Sequence, residues 1–384
     1  MDRSVDPLSR LVVDRRRFIL GTLGGVGALV LGGCGGGEDG GQGGRPTVRM
    51  VHGAVGFPSP FASNGGPGYN QMSLLYDTLL WKDGRGQLLP WLARDFRSSD
   101  DHLTYTFDLR QNVKWSDGRD LTADDVVFTF EYYAEQETLS PPVIIQPPQG
   151  IAKVTATASH TVEITLEKPL VTFPVEVAGA VPIIPRHVWS SIDDPGAALD
   201  TNVLVGSGPY RLDKYDGDGG PMLFTARDDY FLGRPYVARI EMNNITDAFP
   251  ALLTGAADVA RGFSLRDDIL APFTSNDAFG MITQQGGYIA GSIYWNLGQE
   301  GPLADVRFRQ ACAMAVDRKE VVARLANGRG LPGNPGFLSP ENPFFAPVRQ
   351  YELDVAGANA LLDAAGYRAP AGGGARQAPD GTPL

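Results

Sequence analysis

Leu103-Thr104-Tyr105-Thr106-Phe107-Asp108-Leu109-Arg110, followed by Trp115-Ser116-Asp117-Gly118 and Leu121-Thr122-Ala123-Asp124-Asp125-Val126-Val127-Phe128, is the stretch that decides the fold class. Leu103, Tyr105, Phe107 and Leu109 alternate with Thr104, Thr106 and Asp108, the period of two that turns one face of a strand toward a core. The period then changes. Thr122 is placed to cap a helix, Asp124 and Asp125 fall in its first turn, and Val126, Val127 and Phe130 supply its apolar face. The helix dipole favours acidic residues there, so the pair reads as helix-starting rather than catalytic or metal-binding. Val162, Ile164 and Leu166 repeat the strand pattern. Strands and helices therefore interleave, without a fixed-period repeat, and the class is α/β.

Further along, Gly206-Ser207-Gly208-Pro209 reads as a tight turn into the strand Tyr210-Arg211-Leu212, because glycine tolerates positive φ and proline fixes its own φ. A serine nucleophile elbow needs Gly-x-Ser-x-Gly between a strand and a helix, and Pro209 cannot continue that motif. Asp305 to Leu325 reads as one helix, with Val306, Ala311, Ala315 and Val322 toward a core. Within it Cys312 reads as a small buried thiol.

Toward the N-terminus the pattern is of another kind. Asp14-Arg15-Arg16-Arg17-Phe18-Ile19 is a twin-arginine pattern, carried by Arg15, Arg16 and Phe18; the apolar run Phe18 to Leu31 ends in the lipobox Leu31-Gly32-Gly33-Cys34. A positive segment, a short apolar segment and small residues before a cleavage point make an export signal, too short and glycine-rich for a membrane span. The expected mature chain starts at a lipid-modified Cys34, and residues 34–44 form a glycine-rich flexible tether. The remaining body is long enough for two domains, and 43% hydrophobic residues in the whole chain is a globular proportion. Without residues 1–33 the chain carries 28 basic and 41 acidic groups, a net charge of −13. That balance argues against nucleic acid and against anionic lipid as partners of the folded body.

Catalytic and metal chemistry is thin. His52, His102, His160 and His187 are far apart and form no ligand pair at helical or turn spacing. Asp216-Gly217-Asp218-Gly219 opens like a calcium loop, but the twelfth position is Arg227 where an acidic ligand is needed, so a surface turn is expected. The glycine run 35–44 lacks the Gly-Lys-Ser/Thr of a phosphate loop. The expectation is a protein with no catalytic residues, no metal and no cofactor.

Several blocks resemble a known family. Leu75-Tyr76-Asp77-Thr78-Leu79-Leu80, Gly86-Gln87-Leu88-Leu89-Pro90-Trp91-Leu92-Ala93 and the deciding stretch itself look like the opening of the family 5 extracellular solute-binding proteins, the oligopeptide, dipeptide and nickel receptors of ABC importers. The resemblance continues through Gly206-Ser207-Gly208-Pro209-Tyr210, Asp229-Tyr230-Phe231-Leu232-Gly233-Arg234-Pro235 and Ala251 to Val259. It then covers Leu303 to Ala311 with Ala315-Val316-Asp317-Arg318, and Ala358 to Tyr367. It implies a two-lobe, periplasmic-binding-protein-like α/β fold that closes over its ligand by hinge motion. Lobe one would take 45–66 and 185–285, an inserted subdomain 67–184, and a partial lobe two 286–384. Members continue beyond blocks matched here by Ala365-Gly366-Tyr367 and Asp380-Gly381-Thr382-Pro383-Leu384, so the chain reads as a C-terminally truncated member, without the segment where peptide-binding relatives hold the peptide amino terminus.

The resemblance implies a substrate-binding lipoprotein capturing peptides, or a nickel chelate, opine or sugar, in an interlobe cleft. Its partners would be an ABC permease and ATPase, the Tat translocon and, through acylated Cys34, a lipid bilayer. It would be exported and anchored on the periplasmic side or outer face of the cytoplasmic membrane. In such a cleft, rigid aromatics supply contact area while main-chain groups read an extended peptide. Tyr288, Tyr294 and Trp295, at the crossover Gly287 to Asn296, and Phe57, after the first strand, are the candidate ligand-binding residues, each also readable as a core aromatic. Asn296 is expected to fix the hinge loop. Two other classes stand beside this reading: a non-transporting remnant or accessory envelope lipoprotein derived from such a receptor, and a secreted hydrolase, for which no converging acid, base and nucleophile is visible.

Overall fold

The structure, a computed structural model, describes residues 44–63, 67–83, 87–135, 150–260, 266–281, 293–328, 330–333, 345 and 348–384. Arg15, Arg16, Phe18, Cys34, the tether residues up to 43 and Tyr288 lie outside the described residues. The chain divides into two compact units, Met1–Ala260 and Arg261–Leu384.

Among the described residues the first unit holds two four-stranded sheets and a hairpin. After β1 (Thr47–His52) come α1 (Pro67–Leu75), the antiparallel hairpin β2 (Leu80–Lys82) with β3 (Leu88–Pro90), and β4 (Ala93–Ser98). Then follow β5 (Thr104–Leu109), α2 (Ala123–Glu135), β6 (Ile151–Ala158), β7 (Thr161–Leu166) and α3 (Arg186–Trp189). The strands β8 (Tyr210–Tyr215), β9 (Met222–Ala226) and β10 (Arg239–Asn244), with α4 (Ala248–Leu253), complete the unit. One sheet runs β4-β5-β7-β6, antiparallel throughout; the other runs β1-β10-β9-β8, with β1 parallel to β10 from Thr47 opposite Arg239 to His52 opposite Asn244.

The alternation read from sequence is the observed one. Tyr105, Phe107 and Leu109 of β5 and Val162, Ile164 and Leu166 of β7 are buried, while the residues between them are half-exposed. Phe107 stands opposite Val162 and Tyr105 opposite Ile164, so two period-two faces meet as cross-strand pairs. In α2, Val126 and Phe130 are buried and Asp124 is exposed. Asp125 does more than complement the dipole: one carboxylate oxygen accepts from Thr122 N–H (2.9 Å), half of a capping box, and the other from Arg186 N–H (3.1 Å), fastening α3.

Glycines 206 and 208 serve a different purpose from the one expected. Neither has positive φ. A Cβ at Gly206 would lie 1.9 Å from the Leu75 carbonyl oxygen, and one at Gly208 would lie 2.6 Å from that of Leu74. The turn needs glycine because its backbone presses on the end of α1, where Gly208 N–H donates to Leu75 O (2.8 Å).

The second unit contains α5 (Asp267–Thr274), α6 (Val306–Met314), α7 (Arg318–Leu325) and α8 (Val355–Ala364). Here the single helix expected over Asp305 to Leu325 is two helices. The Met314 carbonyl accepts from Asp354 N–H (2.9 Å), and Asp317 restarts the chain as the cap of α7 by accepting from Glu320 N–H. Of the expected core positions Ala311 is buried and Val322 half-buried, whereas Val306 and Ala315 are exposed. Cys312 is half-buried rather than enclosed; among the described residues the buried cluster of this unit is Ala365, Tyr367 and Ala378 with Phe308 and Leu362 packed on them. Among the described residues no helix is long and apolar enough to cross a membrane.

Candidate functional site

Ligands of α/β sheets gather beyond the carboxyl ends of parallel strands. The first unit has one such pair among its described strands, β1 with β10, which end at His52 and Asn244. The loop leaving β1 is held by the turn after β8: Asp218 accepts from Val55 N–H (2.7 Å) and Gly56 N–H (2.8 Å) through one oxygen, and His52 Nε2 meets Gly220 O at 3.1 Å. Asp216 pairs with Lys214 at 2.7 Å. The Asp-Gly-Asp-Gly segment is thus a turn whose carboxylates are engaged by protein donors, and among the described residues no group of three or more His, Cys, Asp or Glu is arranged to hold a metal ion.

Phe57, at the end of that loop, is 3% exposed and stacks edge-on against Tyr215 with ring centroids 5.2 Å apart. Tyr294 is exposed and Trp295 half-buried, and Tyr288 lies outside the described residues. The carboxamide of Asn296 accepts from Gly298 N–H (3.1 Å), organising its own turn. Phe57 is a packed side chain of the first unit, and Tyr294 and Trp295 belong to the second.

Sequence reading missed a polar cluster inside the first unit. Asp77 follows α1 and is 2% exposed. Its Oδ1 accepts from Trp91 Nε1–H (2.7 Å) and from the Tyr230 hydroxyl (3.0 Å), and its backbone N–H donates to Ser207 Oγ (3.3 Å). Burial, opposed by these hydrogen bonds and by the charge of Arg227, pushes its carboxyl pKa up to about 6. Arg227, itself buried, donates to the carbonyl oxygens of Gly206, Gly208, Lys114 and Trp115 and pairs with Asp229 at 3.1 Å. The signal for Asp77 was an acidic residue amid the apolar run Leu74 to Leu80. For Arg227 there was none, since its partners lie on remote turns.

The arrangement joins segments; it does not converge on a reacting atom. Ser207 Oγ accepts from Asp77 N–H and its side chain also favours the ionised Asp77 carboxyl, but both residues are buried, so this hydroxyl and carboxylate hold segments together and are closed to a substrate.

Comparison with known proteins gives this framework its kinship. Protein XP55 of Streptomyces lividans is 30% identical over 339 residues, which cover 87% of this chain and 60% of that relative. The oligopeptide-binding protein AppA of Bacillus subtilis is 25% identical over 344 residues, covering 85% of this chain and 60% of AppA. Among solved structures, NikZ from Campylobacter jejuni in complex with Ni(L-His) is similar with a TM-score of 0.72 and 25% identity, over 88% of this chain and 66% of NikZ. The α/β class read from sequence is the class of that structure. The chain spans about six tenths of the length of the curated relatives it matches. The model of the bacterial extracellular solute-binding proteins, family 5 (Middle), matches residues 87–383, most of the described body, and the chain therefore belongs to the family 5 bacterial extracellular solute-binding proteins.

Proposed function

We propose that this chain is the receptor component of an ABC importer, capturing peptides or a related small solute and delivering them to a membrane permease driven by a partner ATPase. The observation that carries the reading is the family match over residues 87–383. It is supported by the relatives' names: AppA is an oligopeptide-binding protein, and a relative from Escherichia coli, 26% identical over 343 residues, is a dipeptide-binding protein. Because NikZ holds Ni(L-His), the ligand class includes small chelates.

In this reading Arg15, Arg16 and Phe18 direct export through the Tat translocon, and acylated Cys34 anchors the protein to the envelope membrane. Lobe one takes 45–66 and 185–285, residues 67–184 form the inserted subdomain and 286–384 a part of lobe two. What supports the insertion is that β1 and β10 pair across it while β4 to β7 make a sheet of their own. Tyr288, Tyr294 and Trp295 supply ligand contact surface, and Phe57 shapes the loop leaving β1.

The test is thermal unfolding of the purified protein with and without a mixed peptide pool. A ligand held at about 100 times its Kd by the folded state alone adds about 2.7 kcal/mol, a clear rise in midpoint. A cooperative transition that no peptide, nickel–histidine chelate or sugar moves overturns the receptor reading. For the anchor, Cys34→Ser is expected to move the protein from the membrane to the soluble fraction; unchanged partition overturns that part.

A further inference from the structure

Asp77 is enclosed by four segments of the first unit. Trp91, between β3 and β4, and Tyr230, in the loop after β9, both donate to its Oδ1. Ser207, in the turn before β8, accepts from the Asp77 N–H, and the Asp77 carbonyl accepts from Ile183 N–H at 2.9 Å. Its second carboxylate oxygen, Oδ2, is buried and has no hydrogen-bond partner. An ionised carboxylate with one oxygen buried and without a well-formed hydrogen bond from the protein is expensive to keep in a folded chain, far more so than the neutral acid.

We propose that Asp77 is a built-in proton-binding site that makes the first unit firmer as its surroundings become mildly acidic, the proton residing on Oδ2. Protonation there leaves both hydrogen bonds to Oδ1 in place, because they use the other oxygen, and removes the uncompensated charge. The groups facing Asp77 relieve its charge only in part: the side chains of Trp91, Tyr230 and Ser207 and the charge of Arg227 favour the ionised form, and burial outweighs them. Arg227 is the nearby cation, but its guanidinium is committed to Asp229 and to four carbonyl oxygens. Arg110 is turned to the Trp91 carbonyl (2.6 Å), and Tyr230 contributes a neutral hydroxyl.

The upward displacement of the Asp77 pKa, from the ordinary 3.8 to about 6 with burial as its largest cause, agrees with this geometry. Since the folded value lies above the unfolded one, the folded state binds the proton first. The stabilisation is complete below the unfolded value and is lost as pH rises through about 6. Acidification from pH 7 to 5 therefore strengthens the unit. Nothing in this depends on solute binding, so failure of either proposal leaves the other standing.

The experiment is an NMR titration of the whole chain labelled with ¹³C at aspartate carboxyls. One aspartate signal is expected to titrate near pH 6 and to vanish in Asp77→Asn. Trp91→Phe and Tyr230→Phe each remove a donor that favours the ionised form, so each should move that midpoint further up, a response that mere loss of packing does not produce. In urea, the difference between the wild type and Asp77→Asn should grow in favour of the wild type from pH 7 to pH 5, a comparison in which the histidines cancel. An Asp77 signal titrating in the ordinary range near 4, or unmoved by Trp91→Phe, overturns the proposal. If Asp77→Asn does not fold, the two donor variants decide.

Discussion

Arg227 Nη1 donates to the carbonyl oxygen of Gly206 at 3.3 Å, a bond that ties the loop after β9 to the turn before β8. The same guanidinium reaches Gly208, Lys114 and Trp115, so one side chain joins three stretches of backbone. Arg227→Met removes these donors while leaving Asp229, about half exposed, free to turn to water. Two carbonyls keep backbone donors, Ser116 N–H to Gly206 O and Gly118 N–H to Trp115 O, both 2.9 Å. The expected loss is about 3 kcal/mol in urea unfolding. Arg227→Lys should recover only part, because an ammonium lacks the planar fork. A loss under about 1 kcal/mol for Arg227→Met would sink this account.

Glycine at 206 is set by distance rather than by dihedral angle. The added methyl of Gly206→Ala would press into the Leu75 carbonyl, a backbone group that cannot swing aside, and the expected cost is about 4 kcal/mol or failure to fold. Gly53 has nothing within 4 Å of an added Cβ, and Gly53→Ala should change stability by no more than about 0.5 kcal/mol. Melting temperatures of the two variants, compared side by side, check the contrast.

Phe57 and Trp295 should part company on mutation. Phe57→Ala empties a core position and should cost about 3–5 kcal/mol of stability. Trp295 is half-buried, and if it contacts solute its alanine variant should weaken binding by about 2 kcal/mol while largely sparing the melting temperature. Calorimetric titration of the solute that shifts the wild-type midpoint separates the two. Equal binding by Trp295→Ala and wild type removes Trp295 from the site.

The Arg49 and Asp258 pair gives an acid dependence of opposite sign to that of Asp77. Arg49 donates through its side chain at 3.0 and 2.9 Å and through its backbone at 2.7 Å, and these bonds hold the Asp258 carboxyl below its ordinary range. Its contribution is present above the unfolded value of 3.8 and is lost as pH falls through the lower folded value. Asp258→Asn should therefore flatten the stability profile below about pH 4 and leave the profile between pH 5 and 7 unchanged. Both side chains are partly exposed, so the effect will be small and weaker in high salt.

Local rules were enough for the elements whose partners are local. The β5 and β7 faces are legible because period two depends only on neighbours, and the start of α2 because its caps lie within four residues. The break between α6 and α7 was not legible, since it depends on the Met314 carbonyl being taken by Asp354, forty residues on. Asp77 and Tyr230 are 153 positions apart, and no window of sequence shows that an acid in one apolar run meets a hydroxyl in a distant loop. The candidate site divides in the same way: Phe57 is recognisable as an aromatic after a strand, but its ring packs edge-on against Tyr215, which is remote in sequence.

The parallel pairing of β1 with β10 also sets a timetable. Thr47–His52 must wait for Arg239–Asn244, so nearly two hundred residues pass before the first strand finds its partner. At bacterial synthesis speeds of about 5–20 residues per second that is on the order of ten to forty seconds. Strands β4 to β7, confined to residues 93–166, can meanwhile close their own sheet. We expect pulse-labelled hydrogen exchange on arrested nascent chains to protect Phe107 before Met50; the reverse order would refute it. The strand made first would then be the one locked last, and any machinery that accepts only finished protein would be inspecting, in effect, whether residue 244 has arrived.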